Sequence, residues 1–231
     1  MILQTRKDKA LRSPYLIELM INKSISTQAL KRLPIYLNYL KSLPSDGYYN
    51  ISATMIAEAL RLNDVQVRKD LALISTGGRP KVGYITKSLI TDLEKFLGSH
   101  DAQSAVIAGA GSLGSSLLTY KGVLKYGLDL VAAFDTEEAL IGTIIGGKKV
   151  LSIHKLEDLC SRMKVRIGII AVPESSAQQV CDQMVSGGIL AIWNFAPIHL
   201  KVPEHIIVQN EDMAFSLASL SKQLTLQFES N

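Results

Sequence analysis

The distribution of apolar positions along the chain changes character near residue 100. Beyond it, short runs that are apolar on both faces fall at 105–108, 130–134, 165–172, 189–195 and 206–208. Stretches with helical spacing separate them, at 113–125, 155–162 and 175–185. Strands buried on both sides and alternating with helices predict a parallel, doubly wound sheet in an α/β domain.

Residues 26–86 read differently, as short helices followed by a turn-rich segment. Ser26 and Thr27 can cap a helix through residue 43, with Pro34 expected to kink it or to start a second helix. Pro44-Ser-Asp-Gly47 predicts a turn, and Ser52 caps a helix over 53–60 whose Ile56, Ala59 and Leu60 share a face. Arg61-Leu-Asn63 is a tight connection, and Asn63 with Gln66 fits a capping box opening a further helix to about residue 74. Gly77-Gly78 breaks that helix, and Arg79-Pro-Lys-Val-Gly-Tyr84 predicts a β-wing. The expected organisation is an extension over 1–24, a winged-helix domain over 25–86, a linker helix over 87–100, a sheet domain over 101–209 and a C-terminal helix over 210–231.

On a wheel of 3.6 residues per turn, Val67, Leu71 and Ile74 cluster on one side of the 64–74 helix, while Val65, Arg68, Lys69 and Ala72 point away. A DNA major groove takes long cationic donors for guanine edges or phosphates and small apolar groups beside thymine methyls. The outward face supplies both kinds. Two helices and a tight turn match the docking geometry of a helix-turn-helix. Arg79 on a stiff turn suits a narrow, electronegative minor groove, and Lys81 suits phosphate.

Charge sharpens the division. Residues 1–87 carry 14 Lys and Arg against 6 Asp and Glu, and the remainder 11 against 15, so the chain's net +4 joins a basic segment to a mildly acidic one. A polyanion partner is expected for the first alone. With 231 residues, 47% of them hydrophobic, the chain has core enough for two modest domains. Cys160 and Cys181 form no CxxC pair and the four histidines show no metal-ligand spacing, so neither a disulfide framework nor a metal site is expected. No apolar stretch reaches the roughly 20 residues of a membrane span, and no signal-peptide cleavage pattern is present, so a cytoplasmic location is expected.

The second constellation is Gly109-Ala-Gly-Ser-Leu-Gly114, placed after the 105–108 run and before a helical pattern. In such a loop the first glycine makes a tight turn, the second lets backbone approach a pyrophosphate, and the third allows close helix–strand packing. The free N–H groups of the loop and the positive helix end then receive the phosphates, with Ala110, Ser112 and Leu113 among the expected cofactor-binding residues. Asp135, 21 residues beyond Gly114 at the end of the next strand, can accept hydrogen bonds from ribose hydroxyls and would repel a 2′-phosphate. NAD(H) is therefore expected over NADP(H), in a Rossmann-type domain. Asp135 could equally cap a helix starting at 136–138. No residue fits a catalytic signature, since His154 and His199 lack the paired carboxylate of a hydride-transfer site.

In their order along the chain these pieces resemble the Rex family of bacterial redox-sensing transcriptional repressors. The resemblance covers about residues 26–228 and rests on Lys31-Arg-Leu-Pro34, Val65-Gln-Val-Arg-Lys-Asp-Leu71, Val82-Gly-Tyr84 and Gly109–Gly114, together with Phe134-Asp135, Ala171-Val-Pro173, Asn194-Phe-Ala-Pro197 and Val202-Pro-Glu204. It implies a homodimer, with cofactor sites near the dimer interface and NADH releasing the protein from operator DNA. It also implies that Val172, Pro173, Asn194, Phe195 and Tyr120 contact the cofactor. Arg32, Tyr120 and Asp212 are implied to couple the two domains. The apolar segment 211–228 is implied to be a helix swapped between protomers. Ala171 stands where threonine is frequent in the family, and the N-terminal extension is longer than usual.

Three other readings fit parts of the pattern. An NAD-dependent oxidoreductase with an accessory helical domain would turn over a substrate and show no salt-sensitive DNA affinity. A CoA-binding module would use a similar sheet, against which Asp135 counts. A DNA-binding protein whose sheet domain has lost its ligand would not need Gly109, Gly111, Gly114 and Asp135.

Overall fold

The computed structural model describes residues 25–44, 49–98, 103–122, 124 and 127–229. The extension over 1–24 and most of the 44–47 turn lie outside them. The chain divides into two compact units between His100 and Asp101.

In the first unit, α1 (Thr27–Ser42) begins at Ser26, whose hydroxyl accepts the Ala29 amide at 3.1 Å. Pro34 is carried inside α1, which stays one continuous helix, neither divided nor restarted there. Helix α2 (Ala53–Leu60) is capped by Ser52, and the connection to α3 (Asp64–Ile74) is tight because Arg61 takes a left-handed conformation, φ 55°. Asn63 accepts the Gln66 amide at 3.0 Å as expected. The Gln66 side chain does not reach back to complete the capping box; it turns inward to Asp70. Strands β1 (Asn50–Ile51) and β2 (Tyr84–Ile85) pair antiparallel at the base of the wing.

Helix α4 (Thr86–Phe96) occupies the stretch expected as a linker, but Leu89 and Leu93 are fully buried in the core that Leu33, Tyr36, Leu37 and Leu71 build. Each such side chain is worth about 1.5–3 kcal/mol of burial. The helix is part of the N-terminal unit's structure.

The second unit is a seven-stranded sheet of order β5-β6-β4-β3-β7-β8-β9. Its strands are β3 (Gln103–Ala108), β4 (Leu128–Asp135), β5 (Ile144–Ile145), β6 (Lys148–Ser152), β7 (Ile167–Ile170), β8 (Ala191–Asn194) and β9 (Ile207–Asn210). All pairings are parallel except β5 with β6. Leaving the β5 edge aside, the order runs third, second, first, fourth, fifth, sixth, which is the dinucleotide-binding arrangement. The antiparallel β5–β6 hairpin was not visible in the apolar pattern: its strands are short and Lys148 and Lys149 interrupt them.

Helices α5 (Ser112–Thr119), α6 (Leu156–Met163) and α7 (Glu174–Ser186) connect the parallel strands. Helix α5 stops at Thr119, short of the 113–125 span expected, and Tyr120 leaves it in an extended conformation. A last helix, α8 (Met213–Glu229), has no buried residue: Phe215, Leu217, Leu220 and Phe228 are each more than 60% exposed. A helix with apolar side chains on several faces needs a cover.

Candidate functional site

The strand order reverses between the parallel neighbours β3 and β7, which opens a cleft at the carboxyl ends of the strands, where ligands bind in such sheets. Gly109 follows β3 with φ +94°, and a Cβ there would lie 2.3 Å from the Ala171 carbonyl oxygen. Gly114 packs so closely that a Cβ would sit 1.8 Å from the Gly109 oxygen. Gly111 is different, since a Cβ there would meet nothing within 4 Å. Its missing side chain leaves room in the cleft instead of relieving a contact within the protein. No side chain caps the N-terminus of α5, which begins directly after Gly111 in the cavity wall.

Asp135 closes the other side. Its Oδ2 accepts the Ala110 amide at 2.6 Å, and its Oδ1 accepts the Glu137 amide at 2.9 Å. Residues 136–142 form turns, so Asp135 shapes a turn and does not cap a helix. The cavity measures about 290 Å³ and is lined by Gly109, Gly111, Asp135, Val172 and Pro173 among the expected residues. Leu140, Ile153 and Val180 supply apolar walls that motif reading missed, because nothing local marks them. A glycine loop with open space at its second glycine, a helix N-terminus and a carboxylate 2.6 Å from the loop fit an adenine dinucleotide.

Tyr120, Asn194 and Phe195 are not among the residues that line this cavity. Tyr120 is 65% exposed and lines a separate hollow with Leu117, Leu124 and Lys148. Asn194 is fully buried and its amide closes its own loop, donating to the carbonyls of Ala196 and Ile198 and to Asn210 Oδ1, while accepting from the Ala196 amide. Phe195 packs its ring 4.5 Å from that of Trp193.

In the first unit, Val65, Arg68 and Lys69 are exposed on α3 while Val67 and Leu71 are fully buried. The wing is a hairpin in which the Arg79 amide donates to the Gly83 carbonyl at 2.9 Å and the Gly83 amide donates back to the Arg79 carbonyl at 2.9 Å. Gly83 lies against the β1 backbone, where a Cβ would come 2.3 Å from the Ile51 oxygen. Lys81 sits at the tip with φ 63°. A cleft of about 520 Å³ separates α3 from the wing, and Arg68, Arg79 and Lys81 all line it, joined by Ser52 and Thr54. In the free protein Arg68 makes an exposed ion pair with Asp64 at 3.0 Å. Lys69 and Val65 are outside this cleft, on the open face of the helix.

The inward face of α3 holds the group that sequence reading missed. Asp70 is 2% exposed and accepts from Arg32 Nε at 2.8 Å and Nη2 at 3.0 Å, from the Tyr36 hydroxyl at 2.8 Å and from Gln66 Nε2 at 2.9 Å. Burial pushes the Asp70 carboxyl up, but the hydrogen bonds from Arg32, Tyr36 and Gln66 outweigh it and hold the group below its ordinary value. Burial, reinforced by Asp70, pushes the Tyr36 hydroxyl up to about 12. Asp212, by contrast, is exposed and caps α8 by accepting the Phe215 amide at 2.8 Å.

Both cysteines are free and buried, and burial pushes each thiol up to about 11. Among the described residues no group of His, Cys, Asp and Glu could hold a metal ion, and no helix is long and apolar enough to cross a membrane.

A basic helix-and-wing face in one unit and a dinucleotide cleft in the other define a ligand-responsive DNA-binding regulator. Residues 24–72 match the family model described as a putative DNA-binding protein N-terminus, and residues 100–198 match that of a CoA binding domain. The redox-sensing transcriptional repressor Rex of Treponema denticola is 43% identical over 83% of this chain and 91% of its own length. That of Porphyromonas gingivalis is 38% identical over 89% and 94%. Among solved structures, the Rex-family repressor RSP in complex with β-NAD+ and operator DNA is 34% identical, with a TM-score of 0.82 over 88% of this chain and 94% of its own. RSP in complex with β-NADH superposes with a TM-score of 0.79. The chain belongs to the Rex family of redox-sensing transcriptional repressors.

Proposed function

We propose that the protein binds operator DNA through the α3–wing face when NADH is scarce, and leaves it when NADH fills the cleft beside Gly111 and Asp135. The observation that carries this is the joint presence, on one chain, of a cleft where Arg68, Arg79 and Lys81 converge and a glycine loop open at Gly111. Solved relatives bound to operator DNA, NAD+ and NADH support both halves. Arg68 and Lys69 on the helix would enter the major groove with Val65, and Arg79 and Lys81 would meet the minor groove and phosphate.

The apolar side chains of α8 support a homodimer, with the helix covered by a second copy through exchange between protomers. Arg32, Tyr120 and Asp212 are the proposed coupling residues. The nicotinamide's redox state would bias the position of Tyr120 and the partners of Arg32 and Asp212, and so the separation of the two winged helices. Arg32 already holds Asp70 and Asp212 already caps α8, so re-pairing exchanges existing contacts. No turnover step is involved, and the protein acts in the cytoplasm, where DNA and the nicotinamide pool meet.

The test is fluorescence anisotropy on a palindromic operator-like duplex at fixed salt, with no cofactor, with NAD+ and with NADH. Loss of binding with NADH alone is expected. Binding indifferent to both cofactors would overturn the sensing role, and turnover of a substrate without specific DNA binding would restore the oxidoreductase reading.

A further inference from the structure

We infer that Asp70 is the positioning residue of the DNA-reading helix: with Arg32, Tyr36 and Gln66 it sets the rotation of α3, and thereby aims Val65, Arg68 and Lys69.

The geometry is more constrained than a buried ion pair. A carboxylate has about four acceptor positions, and here all four are filled, two on each oxygen. Arg32 and Tyr36 are four residues apart on α1, hence on one face of it; Gln66 and Asp70 are four apart on α3. Two i,i+4 pairs on two helices therefore meet at one carboxylate. The Arg32 fork is planar and bidentate, which dictates the orientation of its partner as well as its distance.

Apolar contacts cannot do this alone. Val67 and Leu71 hold α3 against the core, but burial has no direction, and α3 could turn about its axis while keeping most of it. A rotation of about 20° moves a side-chain tip about 5 Å from the axis by roughly 2 Å. That is far outside the 0.5 Å span of good hydrogen-bond distances, so base contacts would be lost. Replacing a buried ion pair by apolar residues is often neutral or stabilising, so stability by itself gives no reason for four polar groups here. Orientation does.

This inference rests on the α3–wing face binding DNA, and the experiment separates the two. Wild type, R32K and the triple variant R32M/Y36F/D70L are compared without cofactor on operator and on scrambled duplex, alongside thermal melts. The triple variant removes the polar groups of Arg32, Tyr36 and Asp70 together and leaves only the Gln66 amide, which is on an exposed residue and is met by water. It is expected to melt at or above wild type. Its operator affinity should fall about tenfold with scrambled-duplex affinity nearly unchanged. R32K keeps the charge but loses the fork, and should lose several-fold of operator preference with little change in melting. Wild-type operator preference in both variants would overturn the proposal, as would R32K alone keeping it if the triple variant fails to fold. Absence of operator binding by wild type would instead overturn the DNA-binding reading.

Discussion

The Asp135 carboxylate holds the Ala110 amide at 2.6 Å, tying the end of β4 to the glycine loop that follows β3. One group therefore both shapes the phosphate loop and presents an acceptor to the cleft. The loop and the acidic residue are a single mechanical unit across a parallel strand pair, and the three glycines around it have different jobs that substitution can separate.

Gly111→Ala adds a methyl group where the protein has nothing within 4 Å, whereas Gly114→Ala drives one to 1.8 Å from a backbone oxygen. The first variant should melt like wild type and lose NADH affinity by at least about tenfold, or 1.4 kcal/mol. The second should be destabilised by roughly 1–3 kcal/mol through overpacking. Thermal melts beside calorimetric NADH titration check both. An unchanged NADH affinity in Gly111→Ala would place the ligand elsewhere.

Lys81 adopts a left-handed conformation at the tip of the wing, which disfavours any residue with a Cβ by about 1–2 kcal/mol. Lys81→Gly should therefore raise the melting temperature. If the side chain meets DNA phosphate, the same variant should weaken operator binding and reduce the slope of log affinity against log salt by about one. A gain in stability with an unaltered salt slope would remove Lys81 from the interface.

Asp212→Asn keeps the α8 cap, since asparagine caps as well as aspartate, but removes the charge. The variant should fold and bind NADH normally while its operator binding responds less to NADH. A wild-type NADH response would exclude an ionic role for Asp212 in coupling.

The Asp70 cluster gives stability a pH signature at both ends. A carboxyl held below its ordinary value stabilises the fold fully above the unfolded value of about 3.9, and that contribution is lost as pH falls through the folded value. Tyr36, raised to about 12, contributes fully below the unfolded tyrosine value and loses its share as pH rises toward 12. Melting of Asp70→Asn should be less acid-sensitive than wild type below about pH 4, and that of Tyr36→Phe less alkali-sensitive above about pH 10.

Cys160 and Cys181 are fully buried, with thiols pushed up to about 11, so thiolate is scarce at neutral pH. Native protein should not react with a disulfide reagent on the minute scale, and Cys160→Ala/Cys181→Ala should keep its response to NADH. Loss of that response would make thiol oxidation part of the sensing.

The parallel sheet, the helix pair with its wing and the glycine loop were legible in the chain because each is a local pattern. Apolar runs mark strands buried on both faces, capping residues mark helix starts, and the spacing of Gly109, Gly111 and Gly114 encodes a turn. The β5–β6 hairpin was not legible, since β5 has two residues and β6 opens with Lys148 and Lys149, which leaves too little apolar periodicity. The resemblance implies a cofactor contact for Asn194; that its amide closes the 194–198 loop is visible only in the packing.

Asp70 shows the limit most clearly. A charged residue in a helix marked by Arg68 and Lys69 looks like part of the solvated face, and its partners lie 34 and 38 positions earlier in the chain. Local sequence determined which elements form, because periodicity and capping act over a few residues. Only the tertiary structure decided what those elements do to one another, because a buried carboxylate is satisfied by groups that folding brings to it from far along the chain.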